Sequence, residues 1–463
     1  MNYDKIKDTL LAEVDSGLKF AQSLDDAAEF ELFLYYRSNS SVEIRQGVVK
    51  ATDGIVAGNA VRAAKDQRVS FSSSSGITPD RIKRSVREAI ASLKATSEKD
   101  NRFQGFCEPK PPGKEGKFAP EILELTTDDL VKFTLQIIGD MTKVNGRILA
   151  AADSGISWGG FAIGNTRGLQ QASCSAYNAG SAYAMAIDGE ERRTAWEALV
   201  TREKPLDVTG LGEKAATKAR SLLGAKKLNQ TTVLPTLWVP EAAASYILSS
   251  LQQSAKGNNV VEGLSPIAEK LGEKIAGSSF TLVDDGQNPL GIETEAIDAE
   301  GHPQKRTTII KQGVLKQFLF DSYYGQIAGK PLTGNSSRAG GPFGSSLCYE
   351  YTPTIIGKNL EVSPGTKTED ELIASIDGQA LLIVDVPIGI FHSDVATGEF
   401  SAVASSVFLI EKGEKKMPLE PISVAGSFYK GLEQLQGIGN NVVMTSLLVK
   451  TPSLLIDGFS VTG

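Results

Sequence analysis

Residues 30–72 read FELFLYYRSNSSVEIRQGVVKATDGIVAGNAVRAAKDQRVSFS, and this stretch decides the fold of the first part of the chain. Phe30 to Tyr36 is dense in aromatic and aliphatic residues, and Ser41 to Val49 alternates. Asp53-Gly54 is a turn signal, and Ile55 to Arg62 and Arg68 to Ser72 are extended in pattern. The reading is a strand meander, and helices bracket it. Upstream, Leu10, Leu11, Val14, Leu18 and Ala21 fall on one helical side. Downstream, Thr78-Pro79 places a cap residue before a proline at the first helical position, and Ile82, Val86, Ala89, Ile90 and Leu93 share one face behind it.

The same order recurs once. Residues 99–120 interrupt regular structure, because Pro109-Lys110-Pro111-Pro112-Gly113-Lys114 suits neither a helix interior nor a central strand. A helix opened by Asp128 or Asp129 follows, with Leu130, Phe133, Ile137, Ile138 and Met141 on its buried side. Strands are expected at Arg147–Ser157, Phe161–Gly164, Gln170–Tyr177 and Ala182–Ile187, with turns at Asn165–Gly168 and Asp188-Gly189. A helix from about Val208 to Leu223 closes this unit. From Thr231 onward glycine, hydroxyl and β-branched residues dominate. Helices are expected near 240–255 and 264–275, and strands at Phe280–Val283, Thr307–Ile310, Ala380–Val386, Phe400–Ile410 and Ser453–Val461. The fold class is α+β: two helix–strand-meander–helix domains, residues 1–108 and 109–228, then a large β-rich domain with inserted helices, residues 229–463.

A chain of 463 residues can bury substantial cores. Its 48 Lys and Arg against 55 Asp and Glu give a net charge of −7, which argues against general nucleic-acid binding. Three scattered cysteines, Cys107, Cys174 and Cys348, suggest no disulfide framework. The charged N-terminus has no signal-peptide core, and no apolar run is long enough to span a bilayer, so the expected location is the cytoplasm.

Motifs carry less than they first promise. Gly155-Ile156-Ser157-Trp158-Gly159 matches the serine-hydrolase elbow, whose chemistry needs a strand before the serine and a helix after it; here strand and turn follow. Only two histidines occur, His302 and His392, far apart and without a second ligand at metal spacing. Asp284-Asp285-Gly286 with Glu293, Glu295, Asp298 and Glu300 matches no EF-hand spacing and reads as a solvated acidic loop. Thr333-Gly334-Asn335-Ser336-Ser337-Arg338-Ala339-Gly340-Gly341-Pro342 is a glycine-rich loop without the Lys-Ser/Thr ending of a P-loop; its backbone groups, Asn335 and Arg338 suit an extended peptide as well as a phosphate or a plain turn.

Several segments in order resemble the TldD/PmbA family, and in particular its PmbA (TldE) branch. They include Gly58-Asn59-Ala60-Val61-Arg62; Asp298 to Pro303 leading into Thr307–Leu315; Thr333-Gly334-Asn335 with Arg338; Asn359 to Gly365; Phe391-His392-Ser393-Asp394 with Thr397–Ser401; Ile422–Gly426; and Gly437-Ile438-Gly439-Asn440-Asn441. The resemblance implies the following. TldD-type chains bind zinc through H-E-x-x-x-H on a helix and a cysteine near the C-terminus. They pair with PmbA-type chains around a cavity that admits unfolded or extended peptides and cleaves them. Family roles include maturing peptide antibiotics and degrading small unfolded proteins, and an older name is modulator of DNA gyrase.

Where that motif falls, this chain reads Ser249-Ser250-Leu251-Gln252-Gln253-Ser254 on an expected helix from Glu241 to Ala255. The two ligand positions are Ser249 and Ser254, the general-base position is Ser250, and residues 440–446 contain no cysteine. Serine hydroxyls do not hold zinc at neutral pH as imidazole does, so no cofactor is expected in this chain, and zinc is expected in a TldD-type partner. The resemblance thus implies a catalytically silent subunit of a zinc metallopeptidase, lining a cavity for extended peptides with Asn335, Arg338, His392 and Ser393. Two other readings stand beside it: a homodimeric peptide-binding or scaffold protein, and an enzyme built on His392 with Asp394 or on a cation at the acidic loop.

Overall fold

The computed structural model describes residues 2–339 and 347–463. The first unit comprises α1 (Tyr3–Leu24), β1 (Glu29–Arg45), β2 (Val48–Lys65), β3 (Arg68–Ser75) and α2 (Pro79–Ala95). The second repeats the order: α3 (Thr127–Thr142), β4 (Arg147–Asn165), β5 (Gln170–Asp188), β6 (Glu191–Thr201) and α4 (Leu211–Ser221). The helix starts follow local chemistry. Pro79 occupies the first turn of α2, and Thr126, not Asp128 or Asp129, caps α3 in a capping box completed by Asp129.

Segments 1–108 and 109–228 share one sheet. Its order is β3-β2-β1-β4-β5-β6, joined where β1 meets β4 antiparallel from Glu31↔Asn165 to Arg45↔Ala151. The strands are longer than the sequence pattern shows. The chain reverses at Gln46-Gly47, both at positive φ, so that Arg45 pairs with Val48; Asp53-Gly54 lies inside β2 opposite Ser40 and Asn39. A two-residue turn with left-handed backbone at both positions matches strand twist, and the long ladder overrides the local preference of Asp-Gly. β4 and β5 likewise run unbroken through Gly159-Gly160 and Asn178–Ser181. The G-x-S-x-G match sits mid-strand in β4, where Ser157 Oγ donates to Asn39 Oδ1 at 2.7 Å.

Alternation in β1 assigns the faces. Leu32, Leu34 and Tyr36 pack under α1 and α2, whereas Phe33 belongs to a separate core with Ala60, Ile163, Ile297, Ala299 and Tyr349. That second core joins the sheet to the C-terminal region. Gly58 permits the approach, since a Cβ there would overlap the Tyr349 ring. Residues 99–120 run along this seam, with Gly113 N–H donating to Ala296 O at 2.7 Å and Lys117 N–H to Pro289 O at 2.6 Å.

The C-terminal region holds a large sheet in the order 399–404, 422–427, 454–462, 231–238, 379–383, 407–411, 414–419, with 435–438 pairing alongside 454–462. A smaller sheet runs 314–315, 306–311, 282–285, 360–362, 450–451, 443–444. Phe400–Ile410 is two strands with different partners, Glu399–Ala404 beside Ile422–Ser427 and Val407–Glu411 beside Gln379–Ile383. No α-helix forms at 264–275, where only a 3-10 turn at Ala268–Lys270 occurs. Trp238, Tyr246, Phe400, Phe428 and Phe459 make an aromatic centre to the core that surrounds the helix after Trp238.

Candidate functional site

That helix, α5 (Pro240–Ser249), begins at a proline, and its buried face carries Ala243, Ala244, Tyr246 and Ile247. It does not continue to Ala255. The backbone departs from helical geometry at Ser250 (φ −106°, ψ −81°), and a further single turn, α6 (Leu251–Ser254), follows. Ser250 Oγ donates back to the Tyr246 carbonyl at 2.6 Å, a bond that bends helices. Ser254 Oγ points to the Leu251 carbonyl at 3.4 Å, and the Ser254 carbonyl accepts from Ser265 Oγ at 2.7 Å. Ser249 is 6% exposed, and its hydroxyl has no hydrogen-bond partner among the described residues.

These residues do not fit zinc. Two of the three hydroxyls at the motif positions are turned onto their own backbone, and none is a thiolate, imidazole or carboxylate. Among the described residues no group of three or more His, Cys, Asp or Glu side chains is placed to hold a metal ion.

Instead, the break in the helix opens on a cavity of about 360 Å³. Ser249, Gln252, Gln253, Lys256 and Ser393 supply its polar lining, and Leu248, Ile356 and Val395 part of its apolar lining. Lys256 is the charged residue of that lining, and burial pulls its ammonium down to about 8. No ion pair reaches it among the described residues, and residues 340–346, Gly-Gly-Pro-Phe-Gly-Ser-Ser, carry no charge. The nearest acidic residue in sequence on the facing loop, Asp394, is exposed and accepts from the Ala396 backbone N–H at 2.9 Å.

The structure separates the residues that the sequence grouped. Ser393 lines the cavity with Ser249, its hydroxyl donating to the Ile390 carbonyl. His392, beside it, is exposed and is not part of the lining. Asn335 is interior: its amide donates to Asp284 and to the Ile356 carbonyl. Arg338 is 3% exposed and donates to Glu31 Oε1 at 2.6 Å and to the Tyr351 carbonyl at 3.2 Å, with its guanidinium 4.4 Å above the Phe33 ring. It borders a different cavity, of about 290 Å³, between the first sheet and the C-terminal region. The remaining residues of the glycine-rich loop, Gly340 to Pro342, lie outside the described residues.

Arg338 belongs to a buried network. Glu31 on β1 also receives Arg62 of β2 at 2.8 and 2.6 Å, and Arg62 reaches Glu300 at 3.0 Å; Glu300 accepts from the Ser322 hydroxyl and backbone at 2.6 and 2.9 Å. Burial pulls Arg338 down to about 10, still protonated at neutral pH. Apart from Glu293, which is exposed, the acidic loop is interior or partnered rather than solvated. Asp284 accepts from Lys358 and Asn359 N–H at 2.8 Å each, Glu295 from Ser175 at 2.9 Å, and Asp298 from three backbone N–H groups at 2.9–3.0 Å. Burial, reinforced by the Glu300 charge, still pushes Asp298 up to about 7. His302 is 2% exposed, and burial, with the Lys305 charge beside it, holds it down to about 4.

Lys256 and Gln252 are the site residues that motif reading passes over. Their signal is positional: Gln252 stands between Ser249 and Ser254, the positions to which the resemblance assigns metal ligands, and Lys256 two residues beyond the second.

Comparison with known proteins agrees with this architecture. Residues 231–463 match the family described as PmbA/TldA metallopeptidase C-terminal domain, and residues 30–93 match PmbA/TldA metallopeptidase domain 1. The metalloprotease PmbA of Escherichia coli O157:H7 is 23% identical over 97% of this chain and 95% of its own length. A metalloprotease TldD homolog of Haemophilus influenzae is 31% identical, over 36% of this chain and 32% of its own. The crystal structure of TldE from Thermococcus kodakarensis superposes with a TM-score of 0.86 at 22% identity, covering 97% of this chain and all of that one.

Proposed function

Because the chain belongs to the PmbA/TldD metallopeptidase family as a PmbA/TldE-like member, we propose that it is the non-catalytic subunit of a two-chain zinc peptidase, contributing one wall of a chamber for unfolded or extended peptides. The observation that carries this reading is the fate of the three motif positions. Metal-assisted hydrolysis needs ligands that fix the ion and a base that takes the proton of the attacking water. Here Ser250 and Ser254 are turned onto backbone carbonyls, and Ser249 offers a single hydroxyl. A cavity lies beside these positions, and its polar groups suit binding rather than bond cleavage. Exposed strand edges and loops would hold a peptide through its main chain, which tolerates many sequences. No helix among the described residues is long and apolar enough to cross a membrane.

The test is reconstitution. The chain alone is expected to leave an unfolded peptide intact, and mixing with a paralogue that carries H-E-x-x-x-H is expected to give a stoichiometric complex that hydrolyses it. Hydrolysis by this chain alone would overturn the reading. A stable homodimer that refuses every such paralogue would overturn it in favour of a self-associating peptide-binding protein.

A further inference from the structure

We infer that the cavity at the vacated motif positions is a carboxylate site, in which Lys256 and the Ser249 hydroxyl hold the C-terminal carboxylate of a bound peptide. This rests on the proposal that the chain binds extended peptides, and it names the end of the peptide the cavity takes.

Three independent features point the same way. First, Ser249 is only 6% exposed, lines the cavity, and its hydroxyl has no hydrogen-bond partner among the described residues. A buried polar atom of this kind is an uncompensated loss of hydration unless something binds it. Second, Lys256 places a positive charge in the same lining, and among the described residues no carboxylate pairs with it and the Gln252 amide makes no hydrogen bond. A cation and neutral donors without an acidic neighbour favour an anion and disfavour a metal or an ammonium group. Third, the rest of the lining includes Leu248 and Ile356, and the volume of about 360 Å³ accommodates one amino-acid residue and its carboxylate. A single ammonium matches the single charge of a carboxylate, and the apolar wall matches the side chain of the last residue.

The experiment measures binding of N-acetylated Ala-Ala-Ala-Leu to the full chain by calorimetry, as the free acid, as the C-terminal amide, and as an amide with glutamate in the third position. Thermal unfolding with N-acetyl-leucine is measured in parallel. The free acid is expected to bind roughly 10-fold or more tightly than the plain amide, the size of one charge-assisted hydrogen-bonded contact. Lys256→Met is expected to abolish that preference, and Lys256→Arg to retain most of it. N-acetyl-leucine is expected to raise the Tm of the wild type and of Lys256→Arg but not that of Lys256→Met.

Equal affinity for acid and amide in the wild type overturns the site while leaving peptide binding in place. A preference for the glutamate-containing amide alone overturns the terminal assignment. Retention of the preference in a folded Lys256→Met variant overturns the role of Lys256. If no tetrapeptide binds but N-acetyl-leucine still stabilises the wild type selectively, the chamber proposal fails and the carboxylate site stands; if neither acts, both fail.

Discussion

Two regions of this molecule take charge out of water, and they do so in opposite ways. At the seam between the six-stranded sheet and the C-terminal region, Glu31, Arg62, Glu300 and Arg338 are almost fully buried, and each meets an opposite charge or a network of donors. At the helix break, buried Ser249 and half-buried Lys256 have no such compensation among the described residues. The first arrangement is a fastening, because each charge meets an opposite charge within the chain. The second is a vacancy in hydrogen bonding that an incoming anion can satisfy. The contrast separates a buried ionic site that specifies structure from one that is poised for a ligand.

Breaking the fastening is expected to have the largest effect. Glu31→Gln leaves two guanidinium groups buried beside a neutral amide. Removing one partner of a buried pair costs about 3–5 kcal/mol, and the loss is read as a fall in the urea midpoint. An unchanged midpoint would show that the seam contributes nothing to stability.

Acid tests a third buried site, His302, next to Asp298 in the acidic loop. Burial lowers the folded-state value to about 4 from the 6.5 of an exposed imidazole, so between these values the unfolded chain binds a proton that the folded chain refuses. Its contribution to stability is present above 6.5 and is lost as pH falls toward 4. Lowering pH from 7 to 5 is expected to cost the wild type about 2 kcal/mol more than His302→Leu. Parallel pH profiles for the two proteins would contradict this placement.

The smallest effect is expected at the vacancy. Lys256→Met keeps the stem and removes the uncompensated ammonium, so stability at neutral pH should rise by up to about 1 kcal/mol. A clear loss would mean that Lys256 has a structural partner and belongs with the fastening.

The same contrast explains what was legible in the sequence. Signals that act within a few residues were readable: Thr78-Pro79 and the turns at Asn165–Gly168 and Asp188-Gly189. Signals settled across the sheet were not. The Glu191–Thr201 strand is written in Glu, Arg, Ala and Leu, residues of high helix propensity, and becomes extended because β5 pairs along its whole length. Gln46-Gly47 outcompetes Asp53-Gly54 as a turn because β1 and β2 pair without interruption. Asn335 and Arg338 look like loop residues free to meet a ligand, yet Arg338 is committed to Glu31, 307 positions earlier. That Ser249, Ser250 and Ser254 offer no metal ligand was plain from the sequence, whereas the cation beside them became apparent only once folding put Lys256 and Ser249 in one cavity.

Zinc titration of the purified full chain, followed by metal analysis and a peptidase assay on the same sample, tests the central claim most directly. The account predicts no zinc retained after dialysis and no cleavage. One zinc held per chain, with hydrolysis abolished by a chelator, would contradict it.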